Sequence, residues 1–146
     1  MSKVCDIVIW GATGYTGRLI SKNFAHSVAA RFPALTWAIA GRCGNKLQEL
    51  KNSLAQDSSS SSLPSTSIGS DAAHHPQTIV VDPNNQEDFN SMASRARVMI
   101  AAAGPFHQVG TPVVEACVRN GCDYVDITGE IPWVKSIVDL YHEEAV

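Results

Sequence analysis

Apolar residues along the chain fall into short solid runs and into spaced stripes, and the two kinds alternate. Cys5–Trp10 is a β-branched apolar run halted at Gly11, the pattern of a strand covered on both faces in a parallel sheet. From Tyr15 the apolar positions Leu19, Ile20, Phe24 and Val28 recur at helical spacing until Pro33 closes the segment. Residues 36–40 read as a second strand, and Leu47, Leu50 and Leu54 mark a second helix. Residues 78–82 predict a third strand, followed by a helical stripe of Phe89, Met92, Ala93 and Ala96. Residues 97–102 predict a fourth strand that stops at Gly104 and Pro105. Thr111 then reads as an N-cap with Pro112 at the first helical position, Val113, Val114, Cys117 and Val118 on one face, and Gly121 as the stop. Residues 123–127 are the fifth strand, and Pro132 opens a last helix striped by Trp133, Ile137, Leu140 and Tyr141.

This alternation predicts an α/β fold, a doubly wound, Rossmann-like parallel sheet of five or more strands with right-handed crossovers. One segment breaks the rhythm. Residues 58–70 hold a run of serines with Pro64 and Gly69 and almost nothing apolar, too little to offset the entropy of ordering. The expectation is a flexible surface insertion at about residues 56–77 inside a single domain covering 1–146. His74 and His75 lie at its edge with no carboxylate or thiol at ligand spacing, so no metal site is expected.

Composition narrows the class further. With 146 residues, 45% of them apolar and 17% charged, the chain is long enough to bury one real core. Its apolar runs fall well short of the ~18 residues that a membrane-spanning helix needs. A net charge of −3 with scattered basic residues leaves no footprint for a phosphate backbone, which excludes nucleic acid as an expected partner. Met1-Ser2-Lys3 runs directly into an apolar stretch without a small-residue cleavage site, so an intracellular location is expected. Cys5, Cys43, Cys117 and Cys122 match neither paired zinc spacing nor a secreted disulfide framework, and are expected as reduced, mostly buried thiols.

The chemistry is carried by Gly11-Ala12-Thr13-Gly14-Tyr15-Thr16-Gly17, which lies between the first strand and the first helix. A glycine at 11 permits the tight turn, one at 14 lets backbone approach a pyrophosphate, and one at 17 lets the helix pack close to the sheet. Free N–H groups and the helix dipole favour the anion. The spacing is G-x-x-G-x-x-G, one residue displaced from G-x-G-x-x-G, and no Gly-Lys-Ser/Thr follows to make it a Walker loop. Arg18, just past the loop, reads equally as a phosphate ligand and as a solvated helix residue.

Where the second strand ends, Ala40-Gly41-Arg42 carries no acid to accept from a ribose 2′-hydroxyl. Arg42 offers a planar fork for phosphate oxygens and Lys46 adds charge, so NADP(H) is favoured over NAD(H). Asp82, at the tip of the third strand, reads equally as a neighbour of the adenine and as an ordinary turn acid. Ligands of such sheets lie beyond the strands' carboxyl ends. Ala103, Gly104 and Pro105 are therefore expected to bring backbone to the dinucleotide, with Phe106 packing on a ring; the alternative reading is a loop made by Gly and Pro with Phe106 in the core. His107 and Glu130 are the ionisable groups at the same edge and the candidates for acid or base, although position alone does not make them so. No Gly-x-Ser-x-Gly, His-Glu-x-x-His or Tyr-x-x-x-Lys occurs, and the last absence argues against a short-chain dehydrogenase.

The run from Asp6 to Leu19, with Trp37-Ala38-Ile39-Ala40-Gly41-Arg42 and Lys46-Leu47, resembles the saccharopine dehydrogenase-like oxidoreductases. Gly104-Pro105-Phe106 and the run from Tyr124 through Asp126-Ile127-Thr128-Gly129-Glu130 to Trp133 strengthen the resemblance, which spans nearly the whole chain apart from the serine tract. It implies an N-terminal NAD(P)-binding domain followed by a larger substrate domain. Relatives so implied include lysine-pathway saccharopine reductases, bacterial trans-acting enoyl reductases and animal proteins associated with lipid droplets. The serine-rich insertion and the lack of a substrate domain are departures, so a fragment of a longer polypeptide is expected, binding cofactor without turning over. Two functions follow from the resemblance. One is the cofactor half of an NADP(H)-dependent oxidoreductase, moving hydride to or from an unidentified small molecule beside residues 104–106. The other is a non-catalytic dinucleotide-sensing or lipid-droplet-associated scaffold, with a homodimer or peripheral membrane association of the full-length protein among the expected partners.

Overall fold

The apolar runs become the strands of one parallel sheet, and the stripes become the helices that cover it. The structure is a computed structural model that describes residues 3–29, 31–58 and 75–146. In chain order it holds β1 (Cys5–Trp10), α1 (Tyr15–Asn23) continued by a π-helical turn (Phe24–Ala29), β2 (Trp37–Gly41), α2 (Gly44–Ser58) and β3 (Gln77–Val80). There follow α3 (Gln86–Arg95), β4 (Ala96–Ala101), α4 (Phe106–Val109), α5 (Thr111–Arg119), β5 (Asp123–Asp126) and α6 (Ile131–Ala145). The sheet order is β3-β2-β1-β4-β5, parallel throughout, with Ile9 of β1 paired to Ile39 on one side and Ile100 on the other.

Strand residues alternate between two cores because successive side chains leave opposite faces. Val8 and Trp10 of β1 go to the core that also takes Phe89, Met92, Val113, Cys117 and Trp133. Ile9 goes to the other, with Phe24, Trp37, Ile39, Leu47, Leu50 and Leu54. Both faces of β1 and β2 are therefore covered, which explains their unbroken apolar sequences. Leu47, Leu50 and Leu54 are all essentially buried, each contributing about 1.5–3 kcal/mol of burial free energy. That one stripe holds α2 to the sheet.

At the strands' amino ends, Asp6 ties β1 to the start of β2. Its carboxylate accepts from the Thr36 backbone N–H at 2.9 Å and from the Thr36 hydroxyl at 2.8 Å. These two donors, backbone first, outweigh partial desolvation, and with Arg97 nearby they hold the Asp6 carboxyl below its ordinary range.

Several expectations need correction. The stretch after β4 is not simply a loop: α4 forms there, because the Glu130 carboxylate accepts the first N–H groups of its turn. Thr111 does not cap α5; Gly110 occupies the cap position, and the Thr111 hydroxyl instead accepts from the Trp133 indole at 3.0 Å. Of the two readings of Phe106, the structure shows the core one: its phenyl does not line the cleft between the β1 and β4 ends. It is buried in the core, with its ring centroid 5.7 Å from that of Trp133. Cys5, Cys117 and Cys122 are free and buried, whereas Cys43 is free and exposed. α2 runs to Ser58 and β3 starts at Gln77, and residues 59–74, where most of the expected insertion at about 56–77 falls, lie outside the described residues. Among the described residues no helix is long and apolar enough to cross a membrane.

Candidate functional site

A topological switch lies between β1 and β4: the chain winds outward through β2 and β3, then returns to the opposite side of β1. Crossovers leaving β1 and β4 in opposite directions open a crevice at their carboxyl ends. The structure has a cleft of about 820 Å³ there, lined on its central wall by Gly11, Thr13, Gly14, Tyr15 and Thr16. Gly41, Arg42 and Lys46 line the β2 side, and Ala102, Ala103 and Gly104 the β4 side.

The loop has glycine where the geometry demands it. Gly11 sits at φ +78°, in the left-handed region. A Cβ on Gly17 would overlap the Gly11 carbonyl oxygen, so the helix can seat on the turn only without a side chain there. Gly14 occupies the N-cap of α1 and provides no side-chain cap, and no acid occupies the first turn. The leading N–H groups of α1 thus have neither helical acceptors nor a resident carboxylate, and the positive end of the helix opens onto the cleft. Arg18 turns back, its Nε donating to the Thr13 carbonyl at 3.0 Å, so it braces the loop.

Arg42 and Lys46 are exposed, and their side chains make no hydrogen bond or ion pair among the described residues. They leave two cations with unused donors on one wall of the cleft. Other candidates stand apart. Ala12 is buried behind the loop and Gly17 packs under it, so neither lines the cleft. Asp82 is turned to its own loop, accepting from the Asn84 backbone at 2.9 Å, and Pro83 and Asn84 line the cleft in its place. Pro105 is exposed outside the cleft.

His107 and Glu130 are brought together, but beside the cleft rather than in its wall. Glu130 accepts from the N–H of Phe106 at 2.8 Å, from that of His107 at 2.9 Å, and lies 2.6 Å from His107 Nδ1. Desolvation works against its charge, but the two backbone donors and the ring outweigh it, and the carboxyl is held below the usual glutamate range. Sequence reasoning missed Trp10, Phe89, Gln108, Val109 and Pro112, which also line the cleft. Trp10 and Phe89 read as core and are core, in edge-to-face contact at 5.3 Å, and both also border the cleft.

Residues 7–146 match the family described as the saccharopine dehydrogenase NADP binding domain. The chain belongs to this family. Among curated relatives of this saccharopine dehydrogenase-like domain, the trans-acting enoyl reductase of Mycobacterium tuberculosis is 36% identical over 141 residues, covering 96% of this chain and 29% of that protein. The lipid droplet localized protein of Caenorhabditis elegans is 34% identical over 140 residues, with 96% and 30% covered. The saccharopine dehydrogenase-like oxidoreductase of Mus musculus is 33% identical over 141 residues, with 95% and 31% covered. The chain therefore spans under a third of the length of these relatives. The solved apo saccharopine dehydrogenase (L-Glu forming) of Saccharomyces cerevisiae shares the fold at a TM-score of 0.63 and 14% identity, over 91% of this chain and 24% of that one. AtPrR2 with NADP+ and (+)pinoresinol shares it at 0.62 and 10% identity, over all of this chain and 48% of that one.

Proposed function

We propose that this chain is the cofactor-binding unit of an NADP(H)-dependent oxidoreductase. The observation that carries the reading is the joint placement of the glycine loop with Arg42 and Lys46 in one cleft, with no carboxylate at the end of β2 to compete for them. Gly11, Ala12, Thr13, Gly14, Tyr15, Thr16 and Gly17 form the pyrophosphate turn, the N–H groups of Tyr15 and Thr16 facing the anion while the Gly14 N–H closes the turn on the Gly11 carbonyl at 3.0 Å and Ala12 and Gly17 shape it from behind. Arg42 takes the 2′-phosphate through its fork and Lys46 adds charge beside it. Asp82 buttresses the adenine side through its loop. Ala103 and Gly104 carry backbone past the nicotinamide half, Pro105 turns the chain away from the cleft, and Phe106 anchors that segment to the core. The bound cofactor supplies hydride chemistry, and the chain supplies binding, orientation and electrostatics.

The substrate, a small molecule of unassigned identity, would be held by parts of the polypeptide beyond this span, so the chain alone is expected to bind cofactor without turnover. His107 and Glu130 act here as a structural pair rather than as acid and base. A second reading draws on the nematode relative's name: a lipid-droplet-associated protein using exposed Ile131, Val134, Val138 and Leu140 of α6. Calorimetric titration with NADPH and NADH, repeated on Arg42→Ala, tests the first reading. Tighter NADPH binding that the substitution removes supports it. Silence toward both dinucleotides, with flotation on triacylglycerol droplets, would move the assignment to the second.

A further inference from the structure

The Glu130–His107 contact continues one residue further, into the cleft. His107 Nδ1 lies 2.6 Å from Glu130 Oε2, and His107 Nε2 lies 3.2 Å from the Gln108 side-chain nitrogen. Gln108 lines the cleft on its β4 side. An ionised carboxylate can only accept, so Nδ1 carries the proton whether the ring is neutral or charged. In the neutral ring Nε2 is then a lone pair, and it accepts an N–H from the Gln108 amide. The amide is thereby oriented: its nitrogen is engaged by the ring, and its Oε1, without a partner among the described residues, is left for the cleft. Glu130 is itself held in place by the Phe106 and His107 backbone donors, so the relay starts from a fixed anchor.

Topology says which half of a dinucleotide meets this group. With the pyrophosphate on the α1 turn and the 2′-phosphate at Arg42 on the β2 side, the nicotinamide half must run over β4, where Gln108 stands. We propose that Glu130, His107 and Gln108 form a relay that presents a hydrogen-bond acceptor to the nicotinamide carboxamide NH₂, and that protonation of His107 inverts the Gln108 amide to present a donor instead. The inversion follows from counting donors. A proton on Nε2 turns that atom into a donor, which the Gln108 nitrogen cannot accept, so the amide must rotate to offer its oxygen to the ring. Glu130 is the charged side chain in contact with His107. On the helices packed beside α4, Glu115 pairs with Arg119 within α5 and Lys135 with Asp139 within α6. Gln108 is a positioning and specificity residue here, and Glu130 acts through His107.

The inference rests on the NADP(H) reading, and its test separates the two. Dissociation constants would be measured by calorimetry for NADP+ and for its 3-acetylpyridine analogue, whose methyl group replaces the carboxamide NH₂. At pH 8.5 the analogue should bind about fivefold more weakly, the worth of one neutral hydrogen bond. At pH 5.5 the two should bind alike, since both keep the carbonyl that a Gln108 N–H would meet. Taking the ratio cancels the titration of the 2′-phosphate, which both ligands share. Gln108→Leu should bring the ratio near one at both pH values, and His107→Gln should make it independent of pH. A wild-type ratio that does not change with pH, or one that survives Gln108→Leu, overturns the relay while leaving the cofactor assignment intact. Failure of both dinucleotides to bind overturns the cofactor reading and the relay together.

Discussion

The backbone nitrogen of Ala103 stands where a side chain on Gly11 would have to go: a Cβ there would lie 2.7 Å from it. The glycine turn after β1 and the end of β4 therefore approach backbone to backbone on one wall of the cleft. Gly11 also sits at φ +78°, so any L side chain meets strain and overlap at once. Gly11→Ala should cost about 2–4 kcal/mol in urea unfolding and weaken NADPH at least tenfold by forcing the two segments apart. Unchanged stability would show that the β4 end yields freely.

Arg42 and Lys46 predict a graded loss on the phosphate side. Arg42→Ala should weaken NADPH about 10- to 100-fold and leave NADH unchanged, because a charge-assisted bidentate contact is lost. Arg42→Lys should recover only part of this, since an ammonium cannot reproduce the planar fork. Lys46→Ala should have a smaller effect that shrinks as salt rises, as expected for an exposed charge. Equal losses for NADPH and NADH in Arg42→Ala would place the guanidinium on a phosphate common to both.

Asp6 makes stability depend on pH. Its carboxyl in the folded chain titrates below the ~3.9 of an unfolded aspartate, so its contribution is present above about pH 4 and is lost as pH falls through the folded value. Asp6→Asn should lower stability at pH 7 by about 0.5–1.5 kcal/mol through the Thr36 contacts, and should flatten the loss of stability as pH falls below about 4. Paired denaturation curves at pH 7 and pH 3 measure both effects.

Trp133 is the bolt between α6 and the α4–α5 corner. Its ring packs on Phe106, its indole N–H reaches Thr111, and a Cβ on Gly110 would lie 2.7 Å from its Cζ2. Trp133→Ala should cost about 3–5 kcal/mol through cavity formation. Thr111→Val should cost about 1–3 kcal/mol by orphaning the indole donor, and should cost almost nothing in a Trp133→Phe background. A full Thr111→Val penalty in that background would mean that the hydroxyl works elsewhere.

What could be read before folding was whatever the chain writes locally. Solid runs such as Cys5–Trp10, stripes such as Leu47, Leu50 and Leu54, and the spacing of Gly11, Gly14 and Gly17 are short-range signals with short-range causes. Strand boundaries moved by only a residue or two. The Thr111 cap was misread because its hydroxyl is claimed by Trp133, 22 residues away. The helix α4 was missed because the carboxylate that satisfies its first N–H groups comes from Glu130, beyond a further helix and strand. The two readings of Phe106 stay open in the sequence because an aromatic beside glycine and proline looks the same there whether it faces a cleft or a core, and burial decides for the core.

By itself, then, the sequence determined the class of fold, the glycine turn after β1 and the absence of an acid after β2, since backbone sterics and periodicity act between neighbours. Only the tertiary structure decided that Gly11 meets Ala103, that Arg42 and Lys46 share a wall with the turn, and that Glu130, His107 and Gln108 line up toward the cleft. Those are contacts across a sheet whose order is not the chain's order. They exist because two cores, one on each face of β1, pull distant segments to the same edge.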